Sequence, residues 1–506
     1  MTTIYEGNDQ RFKAFCDQQT FEKIVDYKTV QNLFNHSVKE YGDKIAISDE
    51  EEITYSRLAD EVACYRGVLK NAGVSKGNLV GILLPNSYDA VKAFFAVVTS
   101  GAVAVLFPVQ LPPQAIFGCS MKYNLKAIIT NTELMANTEM AKGMKKDLAV
   151  LDIKQTAEPC AITEVQEKDP CAMLFTSGTT GQSKGVLLSH LAITTGAKNG
   201  CYGYPDVFFQ RYVLVLPLTH IFGLVRNLMT SIYTGSAMRI CRNTKDLFKD
   251  IAIFRPSILV LVPALVEMTL NLSRQFGRNM FGPDVKTIIC GAAMVPPYLV
   301  REYEKVGIKL LPGYGLTESA NLVSGNPESS EHPESVGYLY PGLQAKVVDG
   351  ELWIRGPNVM DCYLNDPAEN EKSFVDDWFR TGDLVRFDED QRLYITGRLK
   401  ELIVLSTGEN ISPQEIENTF DMIDDIQDCL VTHKTENGID ILTLEVLPRM
   451  ANLKAKGVED IANYLKAEIN EVNASLPSHC RINNIVIRDK DFARSPSMKV
   501  LRKQPE

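Results

Sequence analysis

The sequence predicts an α/β protein of more than one domain, and three observations carry that reading. Short apolar runs alternate with helix-period segments from Thr29 to Cys290, a rhythm that implies parallel or mixed sheets covered by helices. Between about Val336 and Arg398 the pattern switches to short alternating strands and turns, which marks a smaller β-rich subdomain. The chain has 506 residues, more than one hydrophobic core usually supports.

Taken in order, the chain begins with an N-terminal arm that is loosely ordered in this reading. Thr29 to Tyr41 has helical spacing, Ile45 to Ser48 reads as a short strand, and Thr54 to Ala72 as a helix with Leu58, Val62, Tyr65 and Leu69 on one side. Val80 to Leu84, Ala127 to Thr130, Leu148 to Leu151, Met173 to Phe175, Tyr212 to Leu216, Ile258 to Val262 and Thr287 to Cys290 read as buried strands. The nearly apolar stretch from Ala93 to Val109 approaches the length of a membrane span. Thr99, Ser100 and Gly101 interrupt it and Pro108 follows, so it is expected to be a buried helix, a turn and a strand. Ala345 to Val348, Glu351 to Ile354 and Leu393 to Ile395 are expected strands of the β-rich part. A compact last block holds expected helices at Pro413 to Thr419 and Val458 to Asn470, with strands at Gln427 to His433, Ile439 to Val446 and Ile482 to Ile487.

Charge and cysteine usage narrow the function classes. With 53 basic against 63 acidic residues, the net charge of -10 excludes a general affinity for nucleic acid or anionic membrane. Eleven cysteines form no CxxC pair, so neither a disulfide framework nor a zinc site is indicated, and a reducing cytoplasm is the expected home. The first residues lack the apolar core of a signal peptide.

Chemistry concentrates in LFTSGTTGQSKGVLLSH, Leu174 to His190, where an apolar run ends in six consecutive small hydroxyl or glycine residues. Gly178 and Gly181 let backbone N–H groups approach an anion, Thr176, Ser177, Thr179 and Thr180 offer hydroxyls, and Lys184 adds a positive charge. A Walker P-loop needs glycine before its lysine, and Ser183 stands there instead. In GYGLTES, Gly313 to Ser319, an aromatic ring is bracketed by glycines and followed by a carboxylate, a loop able to stack a base and hold a metal, although spacing alone favours a surface turn. His220, in LPLTHIFGL, is the one titratable group of an apolar turn and by itself reads as a core histidine. WFRTGDL and YITGRLK each end a strand-like run in a tight glycine turn with an exposed charge, Asp383 and Arg398, and ordinary charged turns fit them equally well. The tail FARSPSMKVLRK, taken alone, is a solvated basic terminus.

Together these stretches resemble the adenylate-forming superfamily, in particular its AMP-dependent acyl-CoA synthetases, over almost the whole chain. The resemblance implies a large N-terminal adenylation domain, residues 1–399, of helix-covered mixed sheets plus the β-rich subdomain. It implies a small mobile α+β C-terminal domain, residues 400–506, turning about a hinge at Lys400. It places Thr176, Ser177, Gly178, Thr179, Thr180 and Lys184 around the phosphates of ATP. Tyr314 becomes the adenine-stacking ring, with Gly291, Ala292 and Ala293 of CGAAM on the other adenine face, Gly315 and Thr317 close to the substrate and α-phosphate, and Glu318 the Mg2+ ligand. Asp383 goes to the ribose with Arg398 nearby. His220, Phe222, Gly223, Gly315 and Leu316 border the acyl substrate, with His220 orienting the carboxylate. Lys499 matches the lysine that bridges that carboxylate and the α-phosphate. Three departures stand out: Ser183 replaces a customary proline, Cys362 a glycine in GELWIRGPNVMDCYLND, and Met498 a glycine beside Lys499.

The resemblance therefore implies activation of a carboxylic acid, fatty or other acyl, to acyl-AMP with release of pyrophosphate, then transfer to the thiol of CoA, with ATP, Mg2+ and CoA required. A free-standing enzyme loading a carrier protein would share every ATP-handling residue, and a non-catalytic sensor on the same fold is the reading from another class. The absence of an acidic residue from Thr219 to Leu224 disfavours an amino-acid substrate. Arg226 reads as an arginine snorkelling to the surface, the other reading being a pocket residue meeting a polar acyl tail.

Overall fold

Two large sheets form the body of the protein in a computed structural model that describes residues 3–135, 148–176, 184–405, 409–436, 439–494 and 500–502. Among the described residues, a seven-stranded sheet has the order 362–363, 184–189, 170–176, 103–106, 79–82, 127–130 and 149–152. Its last five strands are mutually parallel, and the hairpin 170–176/184–189 closes one side antiparallel. A nine-stranded sheet runs 338–339, 324–325, 309–314, 287–290, 258–261, 211–214, 237–240, 45–48 and 52–54, parallel through its centre and antiparallel at both ends. The strands Val103–Leu106, Ala127–Thr130, Ile258–Leu261 and Thr287–Cys290 are buried at every position, which is why they read as unbroken apolar runs.

The helices end where their capping residues put them. Thr29 and Thr54 are not helical. Each accepts a backbone N–H, from Asn32 and Arg57, and so starts the helices Val30–Tyr41 and Tyr55–Asn71. The apolar stretch after Lys92 is the buried helix Tyr88–Thr99, a turn, and the strand Val103–Leu106. Among the described residues no helix is long and apolar enough to cross a membrane. Helices at Leu247–Phe254 and Pro263–Phe276 fill crossovers left unassigned by the sequence reading.

The N-terminal arm is not loose. Ile4–Glu6 adds an edge strand to a third sheet, pairing Ile4 with Lys346, and Tyr5 stacks on Phe387 at 3.8 Å. Alternation lets one face of this short strand pack while the other meets water. That sheet also contains 344–348, 351–355, 378–387, 374–375 and 393–398. The final block has its own sheet of 426–436, 439–448 and 484–487, with helices Pro413–Phe420, Met450–Ala455 and Ile461–Ser475. Its apolar cluster, from Leu405 to Ile482, shares no residue with the cluster of the main body. Arg449 bridges the two parts: Nε meets Glu267 Oε1 at 3.1 Å and the guanidinium lies 3.5 Å from the Tyr298 ring centre.

Candidate active site

The hairpin 170–176/184–189 brings Thr176 and Lys184 onto one ladder rung, so both ends of the glycine- and hydroxyl-rich segment start from the same place. Ser177, Gly178, Thr179 and Thr180 lie outside the described residues. Lys184 Nζ pairs with the Glu369 carboxylate and sits 4.9 Å from the centre of the Tyr363 ring. The Tyr363 hydroxyl in turn donates to Glu318 Oε1 at 2.7 Å. Enclosure of the Glu318 carboxyl pushes its pKa up, and the Tyr363 hydrogen bond opposes that shift. No cluster of three or more acidic, histidine or cysteine residues suited to a metal exists among the described residues. One carboxylate fits Mg2+ that is shared with phosphates better than a cage made of protein alone.

Glu318 belongs to the turn that follows the strand Lys309–Tyr314. A Cβ on Gly315 would lie 1.2 Å from the Asn321 carbonyl oxygen, so only glycine fits there. Ser319 Oγ both accepts from Leu316 N at 3.0 Å and donates to Leu316 O at 3.1 Å, which locks Thr317–Ser319 into a 3-10 turn. The neighbouring parallel strand Thr287–Cys290 ends with Cys290 opposite Pro312, two residues before the end of Lys309–Tyr314. Gly291 follows directly, and Ala292 is held at φ 66, a conformation that costs an alanine energy. The two strand ends thus lie side by side at the carboxyl edge of the sheet, where open α/β sheets bind ligands.

Tyr314 donates its hydroxyl to Asp383 Oδ2 at 2.6 Å, and Arg398 Nε meets Asp383 Oδ1 at 2.8 Å. This corrects the expectation of two exposed turns. Asp383 lies inside the ten-residue strand Trp378–Phe387, is 1 % exposed, and pairs with Arg398 across the ladder. Gly382 takes φ 72 beside it, which turns the backbone without ending the strand.

His220 is half-buried. Phe222 N donates to its Nδ1 at 3.2 Å, so the ring proton sits on Nε2, and burial lowers its pKa. A cavity of about 40 Å³ opens next to these strand ends, lined among others by Phe222, Arg226, Gly291, Ala292, Tyr314 and Gly315. His220, Gly223, Ala293, Leu316 and Thr317 are not part of its lining. A Cβ on Gly223 would stand 2.4 Å from Pro217 O, so that glycine serves close packing. Arg226 does not snorkel: it is 2 % exposed, and its Nη2 donates to Tyr204 Oη at 2.9 Å. Lys400 is exposed in the short turn Leu399–Glu401, and Lys499 lies outside the described residues. Sequence reasoning missed Tyr363 and Glu369. Tyr363 was within a quoted stretch, but nothing in the local sequence points either side chain toward Lys184 or Glu318.

Comparison with known proteins agrees with this arrangement. A family model described as AMP-binding enzyme matches residues 34–364, and one described as AMP-binding enzyme C-terminal domain matches residues 400–506. The chain is 26% identical over 524 residues to the 4-coumarate–CoA ligase-like 6 of Arabidopsis thaliana, covering 94% of this chain and 89% of that one. It is 28% identical over 430 residues to the oxalate–CoA ligase of the same plant, covering 78% and 83%. Among solved structures, the anthranilate CoA ligase AuaEII in complex with anthranoyl-AMP superimposes with a TM-score of 0.81 at 19% identity, over 93% of this chain and 95% of that one. With the family model spanning well over half of its length, the chain belongs to the AMP-binding enzymes of the adenylate-forming superfamily, as an AMP-forming acid–CoA ligase.

Proposed function

We propose that the protein activates a carboxylic acid with ATP and passes the acyl group to CoA. The acid's carboxylate oxygen attacks the α-phosphorus in line, the P–O bond to pyrophosphate breaks, and acyl-AMP forms. The CoA thiol, losing its proton, then attacks the acyl carbon; the C–S bond forms and AMP leaves.

The observation that carries this reading is a convergence on one short turn. Tyr314 donates to Asp383, which pairs with Arg398, while Glu318, four residues on, accepts from Tyr363, whose ring faces Lys184. In this assignment Tyr314 stacks on the adenine opposite Gly291, Ala292 and Ala293, and Asp383 accepts from the ribose hydroxyls beside Arg398. Thr176, Lys184 and the residues 177–180 take the phosphates, and Thr317 the α-phosphate. Bound Mg2+, held by Glu318, supplies neutralisation of phosphate charge. His220, neutral with its proton on Nε2, orients the acid by donation rather than abstracting a proton, since a carboxylate is already ionised at pH 7. Lys499 meets the charge that develops at the α-phosphate. Residues 1–399 and 400–506 are the two domains, and rotation at Lys400 exchanges adenylation for thioester formation.

The named acids of the relatives differ widely, from 4-coumarate to oxalate and anthranilate, so they leave the substrate class open. A panel of carboxylic acids with ATP and Mg2+, read by pyrophosphate release and, with CoA added, by acyl-CoA and AMP in equal amounts, tests the reading. Pyrophosphate from none of them overturns it.

A further inference from the structure

Among the described residues, Arg226 is the one formally charged side chain lining the cavity beside Gly291 and Tyr314, and the described lining holds no aspartate or glutamate. The arginine stands on the segment Phe222–Met229, which winds as a π-helix, a rare form that recurs at functional sites. Its Nη2 donates to the Tyr204 hydroxyl, while Nη1 is buried with no hydrogen-bond partner among the described residues. Around it stand the hydroxyls of Tyr204, Tyr212 and Tyr340; Tyr204 and Tyr212 lie 3.4 Å apart. Burial raises the pKa of all three phenols, so they remain neutral and none supplies a counter-charge.

A guanidinium stays ionised in proteins. Burying an ion without a partner costs several kcal/mol, and no described residue of the cavity offsets that here. The missing anion has a place to come from. Phe222 packs against Gly291, at the strand end where the acid reacts in the function proposed above, and Arg226 lies one turn further along the same helix, roughly 5 Å away. The cavity between them, about 40 Å³, holds roughly three waters. It suits a short polar group, and a long aliphatic chain would bury the guanidinium against methylenes.

We propose that the acid activated by this enzyme carries a second carboxylate, which seats on Nη1 of Arg226. The substrate class is then a short dicarboxylic acid or an aromatic acid with a second carboxyl group. The proposal rests on the ligase function and adds the identity of its acid. A site built around an unpaired charged donor rejects analogues that lack the matching group, because they leave that donor buried and unsatisfied.

The test is pyrophosphate release by the full-length enzyme with matched series: succinate, glutarate, adipate and isophthalate; their half-amides; and butanoate, pentanoate, hexanoate and benzoate. The best diacid is expected to exceed its monoacid counterpart in kcat/KM by about 100-fold, with the half-amide between them. In Arg226→Met, which keeps length and loses charge, that preference collapses to within a few-fold through a rise in the diacid KM, and Arg226→Lys restores part of it. Monoacids turned over by the wild-type enzyme as well as diacids overturn the proposal whatever the variants do, and leave the ligase function standing. Silence from all three series overturns the proposal and leaves the ligase function standing if another acid of the wider panel releases pyrophosphate; silence from that whole panel overturns both.

Discussion

The Tyr314→Phe substitution isolates one bond of the site. It removes a hydroxyl that donates at 2.6 Å to a carboxylate only 1 % exposed, and leaves the ring and its apolar contacts in place. Asp383 keeps Arg398 at 2.8 Å on its other oxygen, so the charge is not stranded. The loss is that of one charge-assisted hydrogen bond, about 2 kcal/mol. At about 2.1 cal/mol/K per residue, unfolding the 506-residue chain carries an entropy of roughly 1 kcal/mol/K, so Tm falls by about 2 °C. Asp383, free to rotate toward Arg398, presents the ribose with a less defined acceptor, and kcat/KM for ATP falls about tenfold, equivalent to ~1.4 kcal/mol. Differential scanning calorimetry and pyrophosphate kinetics at varied ATP measure the two effects. A variant indistinguishable from wild type in both refutes the idea that this hydroxyl positions Asp383.

Gly315→Ala forces a Cβ to within 1.2 Å of the Asn321 carbonyl oxygen, so the turn must move; a loss of about 3 kcal/mol or more is expected, with activity falling because Tyr314 and Glu318 move together, as calorimetry and kinetics on the variant will show. Lys499→Ala is expected to depress adenylation far more than thioester formation from supplied acyl-AMP; pyrophosphate exchange into ATP at the wild-type rate contradicts that role. His190 is buried at the start of the helix His190–Asn199, and burial holds its pKa down at about 4 against 6.5 for the free side chain. Its depressed value means that the unfolded chain binds the extra proton, so its contribution is fully present above pH 6.5 and is lost as pH falls through 4; at pH 5 the loss is about 2 kcal/mol. His190→Asn, keeping an acceptor for Val30 N, is expected to flatten the fall of Tm between pH 6.5 and 5.

The parallel strands were legible in the sequence because burial on both faces leaves them uninterrupted apolar runs, as at Ala127–Thr130 and Thr287–Cys290. Their neighbours with one wet face or a polar start, such as Ala237–Ile240 and Lys309–Tyr314, gave no such signal. Helix ends came out one residue wide at Thr29 and Thr54 because a capping side chain belongs to the pattern but not to the helix. In the site, residue chemistry made Lys184 visible, and the family resemblance made Tyr314, Glu318, Asp383 and Arg398 more than surface turns. The burial of Asp383 was invisible, because a charged residue after glycine looks exposed until Tyr314, from a distant strand, closes over it. Tyr363 and Glu369 were missed for the same reason: their roles exist only through contacts with residues far away in the chain. Arg226 failed in the opposite direction. Local sequence favours a long charged side chain reaching water, and only the three tyrosines packed around it show that it stays inside.

The pairing of Lys184 with Glu369 and of Arg398 with Asp383 gives the site a built-in anion-exchange character. An incoming anion has to displace a carboxylate tethered in place, whose effective concentration reaches the millimolar range or above. Free sulfate or inorganic phosphate, engaging one cation at a time, competes poorly on those terms. A nucleotide that reaches Tyr314, Asp383 and Lys184 together takes several partners in one event, and the displaced Glu369 is left to repel any anion that arrives without its own counter-cation. In the function proposed above, the resident acids would therefore act as a filter, lowering occupancy of the site by simple anions and leaving it open to a multidentate ligand.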